Sequence, residues 1–236
     1  MFATQTPSTA TATATPPRIP SGVASATAAQ QTFRRVLDAL ARPGQVQQLA
    51  SDPSLSSATF ADQPHLAWPA TLLLMLVDHE VSLAVAGVAG GEALETVVRR
   101  RTRVATATPE AADTVVCDGG ALTPELVTAL KRGSLEYPDD GATLLVLTDD
   151  LTTATAGAPT ATLSGPGIDG AIRVSLPGLD PDILAAREDA IALYPMGIDI
   201  LLLDRAGRLL GLPRTTVVTL GSQPASPATA ISRKEA

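Results

Sequence analysis

The run Ile198-Asp199-Ile200-Leu201-Leu202-Leu203 decides how the rest of the chain is read. Tyr194-Pro195-Met196-Gly197 introduces it and Asp204-Arg205-Ala206-Gly207 closes it. A short run between such turn-formers has the length of a strand rather than a helix. Its nearly continuous apolarity, in place of alternation, marks a strand covered on both faces. Such a strand belongs inside an α/β sandwich, with helices over each side of the sheet.

Working outward, the segments before it alternate between helix and strand patterns. A helix is predicted over Thr27–Ala41, with Phe33, Val36, Leu37 and Leu40 as its apolar face and Arg42-Pro43-Gly44 as its stop. Val46–Leu49 reads as a short extended piece. Leu66–Val77 is apolar all round and predicts a buried helix, with Pro69 near its first turn. Val81–Ala86 reads as a strand, Glu92–Arg101 as a helix and Thr114–Cys117 as a strand. Thr123-Pro124-Glu125 and Asp180-Pro181-Asp182 each combine an N-cap with a proline at the first helical position. The first predicts a helix to about Arg132, the second a helix to about Leu193. Thr143–Leu147 and Thr160–Leu163 are predicted strands, and Leu209–Leu212 with Thr216–Leu220 close the fold. Alternating elements of this kind give an α/β class with a mixed sheet.

Composition limits the alternatives. Residues 1–26 and 222–236 are rich in Thr, Ala and Pro and have no apolar stripe, so both ends are expected to be disordered tails around a single domain over residues 27–221. The net charge of -7 argues against nucleic acid as a partner. The longest apolar run, Leu72–Val77, is too short to cross a membrane, and no secretory leader is visible. The lone Cys117 suits a reducing compartment, so a cytoplasmic protein is expected.

A search for chemistry finds little. Ser164-Gly165-Pro166-Gly167 fits neither phosphate-binding glycine pattern, and Pro166 removes a backbone donor. Asp78-His79-Glu80 has no second histidine at ligand spacing, since His65 is elsewhere. Cys117 lies in a predicted strand and reads as a core thiol. Lys131 and Lys234 are the only lysines, so a Schiff-base cofactor has almost nowhere to attach. Arg99, Arg100, Arg101 and Arg103 form the densest charge cluster. It suits a phosphate oxygen or an acidic partner surface, or simply the negative end of a helix dipole.

Five blocks go further than this physics. Phe33–Gly44 (FRRVLDALARPG), Asp140–Leu144 (DGATL), Leu163–Ile168 (LSGPGI), Pro195–Asp199 (PMGID) and Leu212–Thr216 (LPRTT) occur in order across most of the predicted domain. Together they resemble the PhnH family, subunits of the bacterial carbon–phosphorus lyase core complex. The resemblance implies a three-layer α/β/α sandwich with a mixed central sheet, similar to a pyridoxal-phosphate-dependent transferase that lacks its cofactor. It implies PhnG, PhnI and PhnJ-type partners, a homodimer when isolated, and no cofactor. It also implies support for forming alpha-D-ribose 1-methylphosphonate 5-triphosphate, without an own catalytic residue. On this reading Arg99, Arg103, Met196, Arg214 and Thr215 are the candidate partner or anion contacts; the last three equally suit turns at the ends of the pivotal strand. A self-standing enzyme or binding protein for a phosphorylated small molecule is the competing expectation.

Overall fold

A computed structural model describes residues 26–52, 55, 59–60, 62–151 and 159–221. The predicted tails therefore lie outside the described residues, apart from Ala26. The pivotal run is a strand, β8 (Asp199–Asp204), in which Ile200, Leu201, Leu202 and Leu203 are all buried. Ile200 and Leu202 join the apolar cluster on one face of the sheet, and Leu201 and Leu203 join the cluster on the other. Burial of both faces explains why the run is continuous rather than alternating.

The other elements follow in chain order: α1 (Ala26–Ala41), β1 (Gln47–Gln48), α2 (Ala67–Leu76), β2 (Ser82–Ala86), α3 (Gly91–Thr102), β3 (Ala105–Thr106) and β4 (Thr114–Asp118). Then come α4 (Pro124–Ala129), β5 (Thr143–Thr148), β6 (Thr160–Ser164), β7 (Ala171–Ser175) and α5 (Pro181–Ile191). After β8, β9 (Arg208–Leu212) and β10 (Val217–Leu220) end the described fold. Both predicted caps form: Thr123 Oγ1 accepts the Leu126 N–H, and Asp180 Oδ1 accepts the Ile183 N–H.

Seven strands make the central sheet in the order β1-β9-β8-β5-β4-β2-β3. The run from β8 to β3 is parallel, while β9 pairs antiparallel with β8 and with β1. One face is covered by α1, α2 and α3, with Val36, Leu73, Leu94 and Val98 in its core. The other is covered by α4, α5 and a second sheet of order β10-β6-β7, through Val127, Ile183, Leu184 and Leu163. This is the expected α/β sandwich with a mixed sheet.

Three details differ from the sequence reading. The buried stripe of α1 is Thr32, Val36 and Ala39, whereas Phe33 and Leu37 are 50% and 49% exposed. Gly211 of β9 is the reason: its bare Cα lets the α1 backbone at Ala39 and Leu40 come in close, so the narrow side of the helix faces the sheet. Helix α4 stops at Ala129 because Leu130 is extended and Arg132 forms a single antiparallel bridge with Gly141. The segment AIRVS forms strand β7, which its central Arg173 hides from an apolar search.

Candidate functional site

Strand β2 is followed through α3 by β3 on its outer side, and β4 is followed through α4 by β5 on the opposite side. Where neighbouring parallel strands send their connections in opposite directions, a crevice opens beyond their C-terminal ends. Here it is a cleft of about 700 Å³. Val88 and Ala89 follow β2 into it, Asp118 ends β4 with Gly119 and Gly120 after it, and Thr148 ends β5 with Asp149 after it. Its floor depends on a backbone-to-backbone contact, since a Cβ on Gly119 would lie 2.8 Å from the Gly178 Cα. No side chain fits there.

The cleft is acidic. Asp62, Asp118, Asp149 and Asp180 line it, against Arg205 and His65. Asp118 accepts the Gly120 N–H at 2.9 Å, Asp180 caps α5, and Asp149 accepts the Arg205 Nε–H at 2.6 Å. Burial, and then the Arg205 charge, hold the His65 pKa below its usual value, so the imidazole is neutral at pH 7. A cleft lined in this way offers hydrogen-bond acceptors. It suits hydroxyl or amine groups better than phosphate oxygens. Cys117 on β4 is not a nucleophile at neutral pH, because burial, helped by Asp118, raises its pKa to about 11. Among the described residues no group of three or more His, Cys, Asp or Glu side chains is placed to hold a metal ion.

The sequence blocks gather at the other end of the sheet, around the starts of β5 and β8. Arg214 is the centre of that arrangement. Its Nε and Nη2 donate to Asp199 Oδ2 at 3.1 and 2.7 Å, and its backbone N–H donates to Asp199 Oδ1 at 2.7 Å. Its Nη1 donates to the carbonyls of Pro138 at 2.7 Å and Pro195 at 3.2 Å. A second guanidinium holds the same loop: the fully buried Arg187 donates from Nη2 to the carbonyls of Pro213 and Thr216, and from Nη1 to Glu188. Burial lowers the Arg187 pKa, and Glu188 opposes the shift.

Bare backbones complete the contacts between blocks. Gly141 packs on the Gly197 carbonyl and the Arg214 guanidinium, Gly165 on the Thr215 carbonyl, and Gly167 on the Ala41 carbonyl. All five blocks are thereby tied into one cluster.

The predicted site residues therefore fall into two groups. Met196, Arg214 and Thr215 are together, with Arg214 occupied by internal partners and Met196 and Thr215 half-buried. Arg99 and Arg103 line a shallow depression of about 370 Å³ at the end of α3, with Arg100 beside them. Arg99 makes an exposed ion pair with Glu95 at 3.6 Å, and Arg103 is the left-handed residue that ends the helix, at φ 64°.

The glycine loop Ser164–Gly167 is a packing element, and Asp78, His79 and Glu80 are exposed in a turn where Asp78 accepts the Glu80 N–H. Lys131, the internal lysine, pairs with Asp113. Sequence reasoning missed the cleft residues Asp118, Asp149, Asp180 and Arg205 as a group. The signal available in sequence is Asp118-Gly119-Gly120 at the end of a buried strand.

Comparison with known proteins agrees with the blocks. The model of the PhnH family, described as bacterial phosphonate metabolism protein, matches residues 22–219. A Stutzerimonas stutzeri protein named as the C-P lyase subunit HtxG is 30% identical over 191 residues, covering 81% of this chain and 86% of that protein. The alpha-D-ribose 1-methylphosphonate 5-triphosphate synthase subunit PhnH of Rhizobium meliloti (strain 1021) is 29% identical over 192 residues, covering 80% and 88%. The chain is an α/β protein of phosphonate metabolism. It belongs to the PhnH family.

Proposed function

We propose that this chain is an assembly subunit of a carbon–phosphorus lyase complex in organic phosphonate catabolism. It supports formation of alpha-D-ribose 1-methylphosphonate 5-triphosphate from a nucleoside triphosphate and methylphosphonate, and works in the cytoplasm with PhnG, PhnI and PhnJ-type chains. The observation that carries this reading is the likeness, over 81% and 80% of this chain, to two proteins named as subunits of that machinery. The local geometry supports it: the residues that carry the family likeness hold backbone loops in place, and Arg214 and Arg187 have protein partners. Arg99 and Arg103, on the open end of α3, are proposed contacts for an acidic partner surface.

Co-expression with the G, I and J-type chains followed by size-exclusion chromatography tests the reading. Stoichiometric co-elution is the expected result, with Arg99→Glu/Arg103→Glu weakening it. Elution of this chain alone, beside an intact complex that lacks it, would overturn it. The crevice favours a second reading, a self-standing enzyme or binding protein, because of its position at the switch of strand order. Its four carboxylates weigh against a phosphorylated ligand there. Thermal stabilisation of the isolated chain by ribose phosphates or alkylphosphonates would favour this second reading.

A further inference from the structure

The chain has two tyrosines, and both precede a proline: Tyr137-Pro138 and Tyr194-Pro195. The two prolines lie far apart in sequence, yet their carbonyls accept from the same Arg214 nitrogen, at 2.7 and 3.2 Å. One guanidinium thus fixes both Tyr-Pro dipeptides side by side. Further bonds stiffen each loop. Tyr137 exchanges hydrogen bonds with Ser134 through its N–H and its carbonyl, Met196 N–H donates to the Leu193 carbonyl, and Gly197 N–H donates to the Arg132 carbonyl.

These two loops also expose the four least covered large apolar side chains among the described residues: Leu135 at 74%, Tyr194 at 68%, Leu193 at 67% and Tyr137 at 55%. Rigidly mounted tyrosines flanked by leucines are the side chains that dominate protein interfaces, because they bury a large area at a small cost in side-chain freedom.

We infer that the Tyr137/Tyr194 patch is a docking surface for a different protein chain whose contact face has apolar pockets and a basic rim. The inference rests on the reading of this chain as a complex subunit, and it adds the face and the chemistry of the partner. The rim decides the occupant. Glu136, Asp139, Asp140 and Asp189 surround the loops, all exposed and none in an ion pair among the described residues. The neighbouring Arg132 donates to the backbone carbonyls of Thr128 and Asp189. A second copy docked through the same patch would set these acids against themselves, because a two-fold contact repeats one surface on both sides. A basic partner neutralises them.

The test is a binding titration of the full chain against the subcomplex of the remaining subunits. It uses wild type, Tyr137→Ser/Tyr194→Ser, and the rim reversal Glu136→Lys/Asp139→Lys/Asp189→Lys, each checked for an unchanged thermal midpoint. The expected result is at least about a 100-fold loss of affinity for the tyrosine pair. The rim reversal should weaken binding, and salt should weaken the wild type. Unchanged affinity of the tyrosine pair overturns the docking surface and leaves the subunit reading standing. Failure of the wild type to bind overturns the subunit reading, and this inference with it. Tighter binding of the rim reversal, or a dimer of the isolated chain that the tyrosine changes split while partner binding stays constant, overturns the basic partner.

Discussion

Arg214→Ala removes one side chain and breaks the links between three loops. Four side-chain hydrogen bonds disappear: two to the Asp199 carboxylate and one each to the Pro138 and Pro195 carbonyls. The pair is largely shielded, with 14% of the Arg214 side chain and 26% of the Asp199 side chain exposed. Bonds to charged groups contribute about 1.5–3 kcal/mol each, and breaking a buried pair costs about 3–5 kcal/mol. The contributions do not add, because Asp199 keeps the Arg214 backbone N–H and water can reach the vacated carbonyls. We expect a loss of about 3 kcal/mol, corresponding to a fall in Tm of about 6–12 °C for a domain of this size. Arg214→Lys should recover less than half, since an ammonium cannot bridge the carboxylate and two carbonyls at once. Urea unfolding at pH 7.5 measures the loss, and a double-mutant cycle with Asp199→Ala isolates the pair. Hydrogen exchange should accelerate first over residues 133–141 and 192–197, the loops the guanidinium holds. A loss below about 1 kcal/mol, at an unchanged urea slope, would refute the clamp and the shared mounting of the two tyrosines.

Gly211→Ala should destabilise by at least about 2 kcal/mol, because its Cβ meets the α1 backbone at Ala39 rather than a side chain that can rotate away; a neutral effect in urea unfolding would mean that α1 is free to shift. Asp113 gives a pH dependence. Burial pushes its pKa up, but the hydrogen bonds from Lys131 and Ser82 outweigh burial and hold it below the usual carboxylate value. Its stabilisation is therefore present above about pH 4 and lost as pH falls through the lower folded-state pKa. The gap in urea midpoint between wild type and Asp113→Asn should shrink from pH 7 to pH 3, and a constant gap would remove the ion pair as its cause.

Much of the sheet was legible because its strands are local statements. The run Ile198–Leu203 declares two buried faces by itself, and the caps at Thr123 and Asp180 declare where helices begin. The face of α1 was not legible. Phe33, Val36, Leu37 and Leu40 form a plausible stripe, and the side actually buried is set by Gly211, which is far away in sequence. Strand β7 was hidden because Arg173 stands at an exposed position between Ile172 and Val174, which are themselves only half-covered, so the apolar signal is weak. The same distinction applies to the sites. The α3 cations were visible as a cluster in sequence, but the cleft gathers Asp62, Asp118, Asp149 and Asp180 from segments that only the strand order brings together. Arg214 and Thr215 were legible as residues to watch. The partners of Arg214, Asp199 and the two proline carbonyls, were not.

The two ends of the sheet differ in a way that bears on function. Open parallel sheets bind ligands beyond the C-terminal ends of their strands. In this chain that end has the crevice, while the blocks that mark the family lie at the opposite end, around the starts of β5 and β8. None of the block residues lines the crevice. Instead they supply bare glycines against carbonyls, and a guanidinium that fastens two Tyr-Pro loops. These are devices for holding a surface in one shape. A rigid, acid-rimmed aromatic surface gains more from meeting another protein than from facing water, because preorganised anchors lose little freedom on binding. The demand placed on this end of the chain is therefore geometric, and loosening Arg214 should weaken partner binding even where both tyrosines remain.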